Sequence, residues 1–215
     1  MTVDASVLLA VDDLAALVDA LALRLATDHP DGVVLLGVLK GALVFTADLA
    51  RAISDVPVVV DFLSISRYAP DSGRVRILKD VDIEVAGRDV VLVEDLVDTG
   101  LTLAYLLGHL GAREPRSLEV CTLLDRPERR IVPIEPRYVG ETVAADAFVV
   151  GYGLHVGERY RNLPFVLQVD REALSAEPEG CLAWYEGGPD HRVAAEEGSA
   201  KPDARLAHEY ERRRP

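Results

Sequence analysis

Val90-Val91-Leu92-Val93-Glu94-Asp95-Leu96-Val97-Asp98-Thr99-Gly100-Leu101-Thr102 is the stretch that decides how this chain is read. The opening run is wholly apolar, as expected of a strand buried on both faces. Glu94 and Asp95 close the strand, Asp98 follows, and a helix starts near Leu101. In an open parallel sheet, ligands bind at the carboxyl ends of the strands. A helix N-terminus adds unpaired N–H groups and a partial positive charge, which suit a phosphate. Thr99 and Thr102 supply hydroxyls, and Gly100 allows close backbone approach. The carboxylates can accept from sugar hydroxyls or help hold a divalent metal. A plainer alternative makes Asp98 an N-cap and leaves Glu94 and Asp95 solvated. It explains Asp-Thr-Gly alone better than it explains the whole run.

Working outward, the apolar pattern predicts alternating strands and helices. Leu14, Leu17, Val18, Leu21 and Leu25 share one helical stripe, with Asp12 or Asp13 as cap. Residues 28–32 break the chain, and Val33 to Val38 reads as a second fully buried strand. A helix over 42–53 should turn Leu43, Val44, Ala47, Ala50 and Ile53 inward. Val58 to Ile65 is β-rich, and 66–80 is polar, with Pro70 and Gly73, as in a hairpin or flap. The helix after Gly100 should close at Gly111, before a strand over Leu118 to Leu124. Short strands follow within 137–170. The expected fold class is α/β: a twisted, mainly parallel sheet flanked by helices, with a small hood built partly from 137–170.

Composition narrows the function. The chain has 215 residues, with 23 Lys+Arg against 36 Asp+Glu, a net charge of −13. This acidity argues against nucleic-acid or anionic-membrane partners, which need a basic surface. No apolar run reaches the ~20 residues of a membrane span. Two cysteines, Cys121 and Cys181, cannot build a disulfide framework, so a reduced, cytoplasmic protein is expected. Beyond Ser175, Pro178, Gly180, Gly187, Gly188, Pro189 and Gly198 punctuate a charged segment. The division expected is a domain over 1–175 and a partly ordered extension over 176–215.

The segment Glu94-Asp95-Leu96-Val97-Asp98-Thr99-Gly100-Leu101-Thr102 closely resembles the phosphoribosyl-pyrophosphate (PRPP) motif of type I phosphoribosyltransferases, in the form used by the 6-oxopurine branch, the hypoxanthine-guanine phosphoribosyltransferases. Further matches follow in the family's order across roughly 33–170. They are Leu39-Lys40-Gly41, Arg76 to Asp80, Cys121 to Asp125, Phe148 to Gly153 and Arg159 to Pro164. The resemblance implies transfer of phosphoribose from PRPP to a purine base, with Mg²⁺ as cofactor, in a homodimer or homotetramer. It also implies roles. Glu94 and Asp95 would meet the ribose hydroxyls, and Asp98 to Thr102, Leu101 included, would cradle the 5′-phosphate. Asp98 would exchange the purine N7 proton. Lys40, Gly41 and Arg161 belong to the pyrophosphate side, and the Leu39–Lys40 peptide is expected to be cis. Phe148 would stack on the base and Val149 would read its edge.

The chain also departs from the family. Arg126 stands where the family has a lysine facing the purine 6-oxo group; its guanidinium can fork onto O6 and N7. His155 replaces an aspartate near metal and base, and imidazole is a poor ligand for Mg²⁺. The metal is then expected to rest mostly on substrate, water, Glu94 and Asp95. The flap reads Ser66-Arg67-Tyr68 where the family usually has Ser-Ser-Tyr, and Arg67 either reaches pyrophosphate or is an exposed charge. A second reading is a PRPP- or nucleotide-binding regulator on the same fold. Asp98 and the acidic charge speak against it.

Overall fold

The structure, a computed structural model, describes residues 5–66, 76–181 and 184. The chain divides into two compact units, Met1–Cys181 and Leu182–Pro215. The first contains the fold described below. Its elements in order are β1 (Ala5–Leu9), α1 (Val11–Asp28), β2 (Val33–Leu39), α2 (Leu43–Ala52), β3 (Val58–Ser66), β4 (Arg76–Lys79) and β5 (Asp89–Val97). Then come α3 (Leu101–Gly111), β6 (Ser117–Asp125), β7 (Tyr138–Thr142), β8 (Phe148–Val150), β9 (Val166–Val169) and α4 (Arg171–Ala176).

The main sheet has six strands in the order β4-β3-β2-β5-β6-β7. All neighbours are parallel except β4, which runs antiparallel to β3 and forms the expected hairpin. Alternation along the strands explains their unbroken apolar runs. Val33 and Leu35 of β2, with Val91 and Val93 of β5, face a core against α1 and α2. Val34, Leu36, Val90 and Leu92 face the opposite core with Leu103, Leu106 and Leu110 of α3. Both faces are covered, so neither can be polar.

The structure departs from the sequence expectations in several places. β5 does not stop at Glu94 but continues to Val97, so Glu94 and Asp95 are buried strand residues. β6 lies alongside and extends the ladder, with Glu94 opposite Thr122 and Val97 opposite Asp125. On α2, Val44, Ala50 and Ile53 pack on the core as expected, but Leu43 and Ala47 are exposed and Phe45, Thr46 and Leu49 are buried instead. At α1 the cap is Ala10, and Asp13 instead accepts the Ala10 N–H from the first turn, at 3.0 Å. Gly111 is the last residue of α3 rather than the residue beyond it. The smaller sheet, in the order β1-β9-β8, takes its outer strand from Ala5–Leu9, which carries no sequence signal of its own.

The amino ends of the parallel strands hold a closed polar network. His29 Nδ1 lies 3.6 Å from Asp89 and its Nε2 3.3 Å from Glu119. The buried Tyr138 hydroxyl lies 2.9 Å from Asp28 and 3.1 Å from Glu119. Arg116 Nε and Ser117 Oγ both donate to Asp89 Oδ1 at 2.8 Å. Arg116, and then Ser117, hold the Asp89 carboxyl far below the ordinary carboxylate range.

Candidate active site

The opposite, carboxyl end of the sheet opens into a cavity of about 440 Å³. Glu94 to Leu103, Arg126, Arg129, Phe148, Val149, Leu154, His155 and Arg171 line it, with Ile65 at the flap side. Thus Glu94, Asp95, Asp98, Thr99, Gly100, Leu101, Thr102, Arg126, Phe148, Val149 and His155 come together in one place. Glu94 and Asp95 are each 6% exposed and sit where β5 reaches the cavity.

The turn 98–101 is built around its backbone. Gly100 has φ 81° and precedes α3 in the left-handed conformation that a Cβ disfavours. A Cβ there would also lie 2.9 Å from the Val132 carbonyl. No side chain caps α3; the Thr99 hydroxyl, 3.5 Å from the Leu101 N–H, is at the limit of a hydrogen bond. Asp98 is therefore not the N-cap, and the N–H groups of this helix end are left for an anion. The Thr99 carbonyl accepts from Ile131 and Val132 N–H at 2.9 and 3.1 Å. Arg130 donates to the Asp98 carbonyl at 2.6 Å and pairs with Asp125. These contacts pin the turn from behind.

Asp98 faces two guanidinium groups. Arg129 Nε lies 3.2 Å from its Oδ1 and Arg126 Nη1 3.6 Å from its Oδ2. The Arg129 approach is an ion pair without hydrogen-bond alignment, so buried Oδ1 accepts no hydrogen bond. Arg126 is 5% exposed and donates to the Ala147 carbonyl, yet its Nε has no acceptor. Burial lowers its pKa, and Asp98 opposes that shift. A buried carboxylate oxygen and a buried guanidinium N–H without hydrogen bonds each cost free energy.

The loop 39–41 is wedged beside this site. The Leu39–Lys40 peptide is cis, as the resemblance implied. A Cβ on Gly41 would lie 1.7 Å from Asp95 Oδ2, and one on Gly153 would lie 2.1 Å from the Gly41 carbonyl. Gly41 therefore touches Asp95, while the Lys40 and Arg161 side chains do not line the cavity. Lys40 Nζ and Arg161 Nη2 instead share Glu158, at 2.9 and 3.2 Å. Lys40 first, then Arg161, lowers the Glu158 carboxyl to about 2. Arg161 also donates to the Gly153 carbonyl at 2.6 Å. Sequence reasoning missed Glu158 because it lies in a charged loop with no motif.

His155 Nδ1 accepts the Glu158 N–H at 3.1 Å, which commits that ring nitrogen. Among the described residues no group of three or more His, Cys, Asp or Glu converges as a metal cage. Mg²⁺ commonly uses one or two carboxylates, with waters and substrate phosphates completing its shell. Glu94 and Asp95, both buried and both lining the cavity, are carboxylates that suit that mode. Arg67 and Tyr68 lie outside the described residues. Arg171, its guanidinium 5.5 Å from the centre of the Phe148 ring, was also missed; a lone arginine after an ordinary strand gives no signal. No helix among the described residues is long and apolar enough to cross a membrane.

Comparison with known proteins agrees with this geometry. The family model described as a phosphoribosyl transferase domain matches residues 6–156. A hypoxanthine-guanine phosphoribosyltransferase of Mycobacterium avium is 45% identical over 175 residues, covering 77% of this chain and 85% of that protein. One from Bacillus subtilis is 44% identical over 164 residues, covering 74% and 90%. The crystal structure of a hypoxanthine-guanine phosphoribosyltransferase from Bacillus anthracis, with HEPES in its active site, superposes with a TM-score of 0.73. That protein is 42% identical, and the match covers 78% of this chain and 99% of that one. A strand that carries two buried carboxylates into the cavity, an uncapped helix behind a glycine turn, and relatives that match over most of their own length have one explanation: the chain belongs to the phosphoribosyltransferase family.

Proposed function

We propose that this protein is a purine-salvage enzyme that transfers the 5-phosphoribosyl group of PRPP to a 6-oxopurine, giving IMP or GMP and pyrophosphate. The observation that carries this is the pairing, in one cavity, of the uncapped α3 N-terminus and buried Glu94 and Asp95 with Asp98, Arg126 and Phe148. The 5′-phosphate sits on the Asp98–Thr102 turn, where backbone N–H groups and the Thr99 and Thr102 hydroxyls donate to it. Glu94 and Asp95 accept from the ribose hydroxyls. Glu94 and Asp95, together with the substrate, would hold Mg²⁺, which would neutralise the charge of pyrophosphate.

The purine lies on Phe148, with Arg126 donating to O6 and the Val149 backbone reading the base edge. As base N9 bonds to ribose C1′, the bond from C1′ to pyrophosphate breaks, and Asp98 takes the proton from N7. Positioning and charge stabilisation carry the rest of the barrier. Lys40, Gly41 and Arg161 serve the pyrophosphate side. Lys40 and Arg161 reach it by exchanging their Glu158 contact for the leaving group; Arg67 and Tyr68 keep the flap role that the family resemblance implies. We read 1–175 as the enzyme domain and 176–215 as an extension, in a cytoplasmic homodimer or homotetramer.

The test is incubation of the full chain with PRPP, Mg²⁺ and single bases, following pyrophosphate and nucleotide together. Stoichiometric release of both with hypoxanthine or guanine is expected. PRPP binding without turnover would instead mark a regulator. Faster turnover of adenine than of either 6-oxopurine would reject the base assignment.

A further inference from the structure

Arg130 does not line the cavity; it stands behind the turn that does. Its Nη1 donates to the Asp98 carbonyl at 2.6 Å, and its Nη2 pairs with the buried Asp125. Its stem runs beneath the turn: a Cβ on Gly100 would lie 3.1 Å from Arg130 Cδ. The next carbonyl, that of Thr99, is held on the same side by the Ile131 and Val132 N–H groups, at 2.9 and 3.1 Å. In a planar trans peptide the carbonyl and the N–H point in opposite directions. The Asp98–Thr99 and Thr99–Gly100 peptides are both trans. Drawing these two carbonyls back therefore turns the Thr99 and Gly100 N–H groups forward, toward the cavity. Successive N–H groups aimed at one place make an anion-binding nest.

We propose that Arg130 is a positioning residue for the 5′-phosphate: it sets the plane of the Asp98–Thr99 peptide and so aims the Thr99 N–H at that group. The inference rests on the reading of this turn as the seat of the 5′-phosphate. The two carbonyls are held by different means. Main-chain groups hold that of Thr99, and side-chain substitutions leave them in place. A single side chain holds that of Asp98. Arg130 is itself braced. Asp125 ends β6, its carbonyl accepts the Val143 N–H at 2.8 Å, and the adjoining Arg126 N–H donates to the Val97 carbonyl at 3.0 Å. Reaching the Asp98 carbonyl and the Asp125 carboxylate together takes the fork of a guanidinium, which an ammonium lacks. Without that fork the Asp98 carbonyl loses its donor. The peptide then rotates to find water and carries the Thr99 N–H away from the phosphate. An N–H donating to a phosphate oxygen makes a charge-assisted hydrogen bond, stronger than a neutral one. The loss falls on the phosphate's share of ligand affinity, and the base's share is untouched.

The experiment measures the dissociation constants of IMP and of inosine, the same nucleoside without its phosphate, for the full chain, Arg130→Met and Arg130→Lys. The preference for IMP over inosine isolates the phosphate's contribution. Arg130→Met should lower that preference about tenfold, with inosine affinity within twofold of the parent's. In turnover the same variant should raise the KM for PRPP and leave the KM for hypoxanthine within twofold. Arg130→Lys should recover part of the preference, since it keeps a donor for the Asp98 carbonyl without the fork. Should the methionine variant not fold, Arg130→Gln, too short to reach both acceptors, takes its place in the same comparison. A merely structural role would weaken IMP and inosine alike and lower Tm. Equal weakening of the two ligands, or a preference within twofold of the parent's in the variant without the guanidinium, overturns the inference and leaves the proposed function standing. A parent that binds IMP no more tightly than inosine brings down both.

Discussion

The two ends of the central sheet are equally polar and oppositely finished. At the amino end, His29, Asp89, Glu119, Tyr138, Arg116 and Asp28 satisfy one another. At the carboxyl end, Asp98 Oδ1 and Arg126 Nε are buried without hydrogen bonds, and α3 has no side-chain cap. The same strands supply both ends, so the difference does not come from propensity or burial. A polar cluster that completes itself stabilises the fold; one that leaves polar atoms unpaired costs stability, and here that cluster lines the cavity.

The sharpest way to break this comparison is Asp98→Asn. The amide keeps the shape but cannot take the N7 proton, so kcat should fall by about 10²–10⁴-fold, with nucleotide affinity and Tm retained; turnover equal to the parent's would remove Asp98 from the chemistry. Next is Gly41→Ala. Its Cβ meets Asp95 Oδ2 at 1.7 Å, so one of the two must move. A loss of about tenfold or more in kcat/KM for PRPP is expected, with a smaller change in the KM for the base. At the amino end, Tyr138→Phe removes a buried hydroxyl that contacts Asp28, His29 and Glu119. It should cost about 1–3 kcal/mol of stability, seen as a Tm lower by a few degrees, and leave kcat/KM unchanged. A Tyr138→Phe protein with normal Tm and impaired turnover would reverse the roles given to the two ends.

The smallest effect is a pH dependence. The folded Asp89 carboxyl is held below its ordinary value of 3.8, chiefly by Arg116. Its contribution is present above that value and is lost as pH falls through the folded pKa. Thermal unfolding from pH 7 down to pH 3 should therefore show the parent's advantage over Asp89→Asn shrinking only in the acidic part of the range. An advantage that shrank between pH 5 and 7 instead would point to another group.

Much of the cavity wall is legible in the sequence because it is contiguous. One strand, one turn and one helix start supply Glu94 to Thr102, and local physics reads local patterns. The strand's true end escaped, since β5 runs past Glu94 only because β6 lies beside it to continue the ladder. The inward face of α2 is only partly as expected: Val44, Ala50 and Ile53 pack on the core, while Phe45 and Leu49 take the places expected for Leu43 and Ala47. Glu158 and Arg171 carry no pattern at all. They reach Lys40 and Phe148 from separate loops, and only the folded chain brings them there.

One consequence lies in the smallest strand. β1 is stitched along β9, antiparallel, from Ala5 opposite Val169 to Leu9 opposite Val166. β9 leads straight into Arg171 and carries Phe148 on its other flank. On the proposed function, a trim that removed β1 would take away the strand that braces β9, and with it a support of the Phe148 that is read as the stacking surface for the base.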